Sequence, residues 1–128
     1  LDLAKENALS NNAEIEFIES DLFEKFADRK FDVILSNPPY IRTDDINSLQ
    51  VEVKDFEPVS ALDGGADGLE FYKIIGAEAY KYINSGGVLF LECGLGQAES
   101  VKNLIINAKT IEIIKDYENI DRIVKAVF

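Results

Sequence analysis

The chain has 128 residues, 47 % of them hydrophobic, enough for one domain with a real core. Its 24 Asp and Glu against 13 Lys and Arg give a net charge of −11, which weighs against a nucleic-acid substrate, since phosphate backbones are held mainly by Lys and Arg. One cysteine and the lack of a membrane-length apolar run exclude an intrachain disulfide framework and a spanning helix, and point to a reducing, cytoplasmic setting.

In chain order, Leu1, Ala4 and Ala8, with Leu3 beside them, mark one helical stripe over residues 1 to 10, and Asn11-Asn12 stop it. The chain opens at or inside a helix and holds no methionine, as expected of a piece of a longer protein. Ile15–Ile18 is a short strand candidate, and Asp21-Leu22-Phe23 reads as a turn. Residues 31 to 35 form a continuous apolar run, which predicts a strand covered on both faces, as in parallel α/β sheets. Residues 41 to 68 lack a period and are rich in Asp and Gly, so they read as a long functional loop. A helix is predicted over 69 to 83, with Asp67 as N-cap and Glu70 completing a capping box. Phe71, Ile74, Ile75 and Tyr82 supply its apolar face, and Asn84-Ser85-Gly86-Gly87 end it. A buried strand follows at 88 to 91, then a helix at 97 to 108 built on Val101, Leu104, Ile105 and Ala108. Strands at 111 to 115 and 122 to 127 flank Asp116–Ile120. This alternation predicts an open α/β sheet with a hairpin-like finish.

The segment Ser36-Asn37-Pro38-Pro39-Tyr40 occupies the exit of the 31–35 strand, and open α/β sheets bind ligands outside the carboxyl ends of their strands. The Asn37 side chain offers a carbonyl acceptor and an NH₂ donor in one plane. Pro38 and Pro39 fix φ, extend the residue before each, and remove backbone donors. Tyr40 adds a flat face. Together they form a rigid, acceptor-rich slot for a planar –NH₂ whose lone pair is delocalised. Acceptors on its two hydrogens favour a pyramidal nitrogen with an exposed lone pair, which is catalysis by positioning and fixed dipoles. The alternative for the bare tetrapeptide is a rigid turn leaving a strand.

The runs "FDVILSNPPYI", "EPVSALDGGADGLEFYKII", "GGVLFLECGLGQAESV" and "KDYENIDRIVKAVF" resemble the protein-(glutamine-N5) methyltransferases of the HemK type. That resemblance covers essentially the whole chain. It implies a Rossmann-like class I S-adenosylmethionine-dependent methyltransferase sheet with an antiparallel C-terminal strand, acting on the glutamine of the Gly-Gly-Gln motif in peptide chain release factors. Asn37, Pro38, Pro39 and Tyr40 would bind the acceptor amide, with Asn37, Pro38 and Tyr40 as the catalytic set and Asn37 also near the cofactor. Leu22 would pack on the cofactor's adenine, and Asp21 could accept from its amine. The family's glycine-rich cofactor loop, its ribose-binding acid and its helical N-terminal domain have no counterpart here, which implies that they lie upstream of Leu1. Residues 1 to 128 would then be one catalytic domain without its first two strands, leaving a gap between the 15–18 and 31–35 segments with two unpaired edges.

The tetrapeptide is shared with enzymes that methylate exocyclic amines of adenine or guanine, so a nucleic-acid acceptor is the alternative substrate. A non-catalytic fragment that keeps only the fold is the second alternative. Gly64–Gly68 reads as a turn into a helix, because Asp63 and Asp67 would repel a phosphate. Glu57-Pro58 is expected in a loop behind the site. Glu92 and Gln97 are expected to tie the strand end to the following helix. Cys93, in a chain without histidine, reads as a small buried residue, and no cluster has metal-ligand spacing.

Overall fold

A computed structural model describes residues 1–128. Helix α1 (Asp2–Ser10) is followed by strand β1 (Phe31–Ser36), helix α2 (Val51–Lys54), helix α3 (Glu70–Glu78), strand β2 (Ile83–Glu92), helix α4 (Ala98–Leu104) and strands β3 (Thr110–Lys115) and β4 (Asp121–Val127). Short 3₁₀ helices lie at Thr43–Ser48, Val59–Ala61 and Ala79–Lys81. The sheet order is β1-β2-β4-β3. β1 runs parallel to β2, while β4 is antiparallel to both β2 and β3. The expected α/β sheet with an antiparallel C-terminal strand is therefore present.

Register sorts the side chains. Ile34 pairs with Leu89, Leu89 with Ala126 and Ala126 with Ile111, so these four share one face. Leu91, Val124 and Ile113 extend it. That face meets Tyr72, Ile75 and Ala79 of the α3 segment and Ala98 and Val101 of α4 in a single core. Each fully buried aliphatic side chain there contributes about 1.5–3 kcal/mol relative to exposure. The two helices approach closely at Gly76, where an added Cβ would sit 2.5 Å from the Leu104 carbonyl oxygen.

The opposite face contradicts the expectation of a doubly covered strand: Val33 is 52 % and Leu35 74 % exposed. Both helices pack on one side, so every second residue of β1 faces away from the core. Ile15–Ile18 forms no strand, because a strand needs a ladder partner and none is available to it. With no strand at 15–18 there is no gap between two strands; instead an apolar groove of about 370 Å³ runs beside β1, lined by Leu22, Phe23, Phe26 and β1 side chains. Phe23 stacks on Tyr82 with centroids 4.4 Å apart, and Phe26 meets Phe31 edge-on at 5.6 Å, fixing the segment across the groove.

Several boundaries differ from the periodicity. α1 ends as expected, with Asn12 at φ 51°, yet among the stripe residues only Ala8 is buried. α3 begins at Glu70 without the capping box: the Glu70 N–H donates to the Gly64 carbonyl at 3.0 Å, and Asp67 instead accepts from the Leu69 N–H at 3.1 Å. Its buried stripe is Tyr72, Ile75, Gly76, and Ile74 stands 43 % exposed. Asn84–Gly87 do not stop a helix but belong to β2, where a bulge places Phe31 opposite Ile83 and Val33 opposite Val88. α4 stops at Leu104 because Ile105 turns extended.

Candidate active site

The carboxyl ends of β1 and β2 lie side by side because the two strands are parallel, with Ser36 opposite Leu91. Asn37–Tyr40 leaves the first, and Cys93–Gln97 leaves the second. Pro38 is buried, Pro39 and Tyr40 are half-buried, and Asn37 is exposed. Two cavities meet at Asn37. One is shared with Leu35, Ser36, Phe90, Glu92 and Ile123. The other, about 130 Å³, is enclosed by Asn37–Ile41 with Glu57, Ala61 and Leu62. Glu57 lines this second cavity while itself exposed, as a surface residue of the loop.

Residues 41 to 68 are ordered around the slot rather than irregular. Ile41 donates its N–H to the Leu62 carbonyl at 3.0 Å, and Gly64 returns one to the Ile41 carbonyl at 2.8 Å. Asp63 accepts at one carboxylate oxygen from the Thr43 hydroxyl at 2.8 Å and the Gly65 N–H at 2.9 Å. The glycines are there for proximity: a Cβ on Gly64 would lie 2.8 Å from Tyr40 Cα and 2.9 Å from the Pro39 oxygen. Gly68, at φ +73°, would bring one to 2.5 Å from the Tyr40 oxygen. Backbone packed on backbone leaves the slot little freedom to shift.

From the other strand, Gln97 accepts the Gly94 N–H at 3.0 Å and donates to the carbonyls of Tyr40 at 3.0 Å and Gly68 at 3.3 Å. The sequence reading foresaw the first of these ties but not the reach to Tyr40. Glu92 contributes through its backbone carbonyl, which accepts from the fully buried Tyr72 hydroxyl at 2.7 Å. Burial drives the Tyr72 phenol well above its usual range, aided by Cys93, Tyr40 and Glu92, so it stays a neutral donor. Burial likewise pushes the Cys93 thiol up, against a downward pull from Arg122, and Cys93 is fully buried. It is a packing residue.

Leu22, at φ 41°, packs against the core and shares the β1 groove with Ser36. Asp21 lines a different cavity, with Glu24, Glu70 and Glu78. Leu22 and the Asn37 slot are therefore brought to one strand, and Asp21 lies beyond Leu22. No group of three His, Cys, Asp or Glu side chains comes together to hold a metal ion. No helix is long and apolar enough to cross a membrane.

A parallel strand pair flanked by an antiparallel C-terminal hairpin matches part of a Rossmann-like class I methyltransferase sheet. A methyltransferase from Pyrococcus furiosus has the same fold, with TM-score 0.61 and 22 % identity over 98 % of this chain and 56 % of that one. The family model described as the methyltransferase small domain matches residues 1–54. The release factor glutamine methyltransferase of Geobacter sulfurreducens is 45 % identical over 95 % of this chain and 44 % of its own. That of Thermodesulfovibrio yellowstonii is 45 % identical over 94 % and 44 %. The resemblance read from the sequence to this glutamine methyltransferase family is borne out. The chain spans less than half the length of the curated relatives it matches.

Proposed function

We propose that the protein containing this chain is a cytoplasmic S-adenosylmethionine-dependent enzyme that methylates N5 of the glutamine in the Gly-Gly-Gln motif of peptide chain release factors. The observation that carries this reading is the Asn37–Tyr40 slot, held from behind by Gly64, Gly68 and Gln97 while the Asn37 carboxamide stays exposed. Two acceptors take the place of solvent in this reading: the Asn37 side-chain carbonyl and the Pro38 backbone carbonyl. They accept the two hydrogens of the incoming amide and draw its lone pair out of conjugation. The Tyr40 face orients the amide plane. When bound, S-adenosylmethionine supplies an electrophilic sulfonium methyl. Asn37 and Pro38 would hold the amide nitrogen with its lone pair toward that methyl, and the proton that the nitrogen loses on methylation would pass to solvent at the exposed Asn37 side of the slot.

For that cofactor, the residues present offer a partial fit. Leu22 and the apolar groove suit a flat base, and Asn37 lines the neighbouring cavity that shares Leu35 and Ser36 with that groove. A methyl-labelled cofactor given to the full-length protein with release factor and adenine-containing DNA tests the reading. Label on the Gly-Gly-Gln glutamine is expected. Label on adenine would keep the slot chemistry and overturn the acceptor, a result that the net charge of −11 argues against.

A further inference from the structure

Gln97 is the N-cap of α4, yet its side chain makes no capping bond to that helix. N-cap side chains ordinarily accept a helix N–H; this one turns away. Its Oε1 accepts from Gly94, and its Nε2 donates to Tyr40 and Gly68. Both donor hydrogens and the acceptor are thus assigned to backbone groups on three separate segments, 3, 29 and 57 residues away in sequence. The neighbours are built around it. A Cβ on Gly68 would stand 2.7 Å from Nε2, and one on Gly94 would stand 2.8 Å from Oε1 and 3.0 Å from the Tyr40 ring.

From these contacts we infer that Gln97 is a positioning residue for methyl transfer. Its carboxamide brackets the exit of β1, the exit of β2 and the glycine segment, and so sets the Asn37–Tyr40 slot relative to the rest of the site. This rests on the acceptor role of that slot. A carboxamide is the side chain that matches the pattern, since it carries an acceptor and two donors in one plane. A glutamate of the same shape would keep the bond from Gly94 but turn an oxygen toward the Tyr40 and Gly68 carbonyls, replacing attraction with repulsion. The bracket sits at the strand ends, where ligands bind in open α/β sheets. There, a misplacement of about 1 Å costs on the order of 10²-fold in rate.

The test uses the full-length protein with Gln97→Glu and Gln97→Met. Hydrogen exchange at the Gly94 amide reads the bracket directly. It should be slow in the wild type, remain slow in Gln97→Glu and become fast in Gln97→Met. Turnover, measured well below each variant's thermal midpoint, should fall on the order of 10²-fold in both variants, with the KM for S-adenosylmethionine nearly unchanged. Unchanged turnover in Gln97→Glu would overturn the inference. So would Gly94 exchange that ignores Gln97→Met, or a loss of turnover that only follows a falling thermal midpoint. Turnover is compared on whichever acceptor the wild type labels. An adenine acceptor would therefore refute the glutamine reading while leaving the bracket to be judged by the same two measurements.

Discussion

Asn37 belongs to the tetrapeptide of the slot, and Gly64 packs against its Pro39 and Tyr40 backbone. Asn37 is exposed, and the side-chain bonds around the slot are made by Thr43, Asp63 and Gln97 rather than by it. Its carboxamide is free for a guest. Asn37→Ala should therefore lower turnover by about 10²–10³-fold, the usual effect of removing one preset polar contact, while changing cofactor affinity far less. Single-turnover rates beside equilibrium binding measure both, and equal losses would make Asn37 a cofactor residue. Gly64 is the reverse case, since its added Cβ would meet only backbone, which cannot rotate aside. Gly64→Ala should destabilise the fold by about 1–3 kcal/mol, as overpacking does, visible as a lower urea midpoint. The tetrapeptide and its chemistry were legible in sequence. The reason for Gly64 was not, because its partners Pro39 and Tyr40 lie far back along the chain.

Between β3 and β4, Asp116 organises the hairpin. Its Oδ1 accepts the N–H groups of Glu118 and Ile120 at 2.9 and 3.0 Å, and its Oδ2 meets Arg122 Nε at 3.3 Å. Arg122 in turn donates to the Cys93 carbonyl at 3.2 Å, joining the hairpin to the end of β2. The Ile120 N–H, then Glu118 and Arg122, hold the Asp116 carboxyl below its usual range, against burial. The folded state thus prefers the ionised form, so the contribution is complete above the unfolded value of about 3.9 and fades as pH falls through the lower folded value. Asp116→Asn should lower the urea midpoint at neutral pH and flatten its decline between about pH 5 and pH 2. Acid limbs that superimpose would show that the charge contributes nothing. The hairpin was readable from two apolar runs around a turn. The helix start at Glu70 was misread because Asp67 satisfies Leu69 locally and Gly64 supplies the Glu70 contact from outside the capping pattern.

Across the whole molecule, one face of the sheet is dry and the other is open. Only 22 of 128 residues are buried, so the core is thin for a chain of this length. Val33 and Leu35 line the open side of β1, whose outer edge has no partner strand. Apolar surface beside an unpaired edge promotes association. The isolated 128-residue chain should bind an apolar dye and self-associate, as read by sedimentation. Leu35→Lys should reduce both while changing stability by no more than about 0.5 kcal/mol, since the side chain is 74 % exposed. A Leu35→Lys chain that associates as before would move the sticky surface elsewhere.

Local order in the sequence determined the helix read over residues 1 to 10 and its Asn stop, the apolar strand leading into Asn37–Tyr40, the C-terminal hairpin and the acidic balance. Each depends on neighbours within a few positions, where periodicity and backbone restriction act directly. Tertiary structure alone decided which face of β1 is covered, that Ile15–Ile18 has no ladder to join, and that Gln97 spans 57 residues to hold Tyr40. Strand pairing and close backbone approach take their energy from groups distant along the chain. No local pattern at either end encodes which distant group will be there.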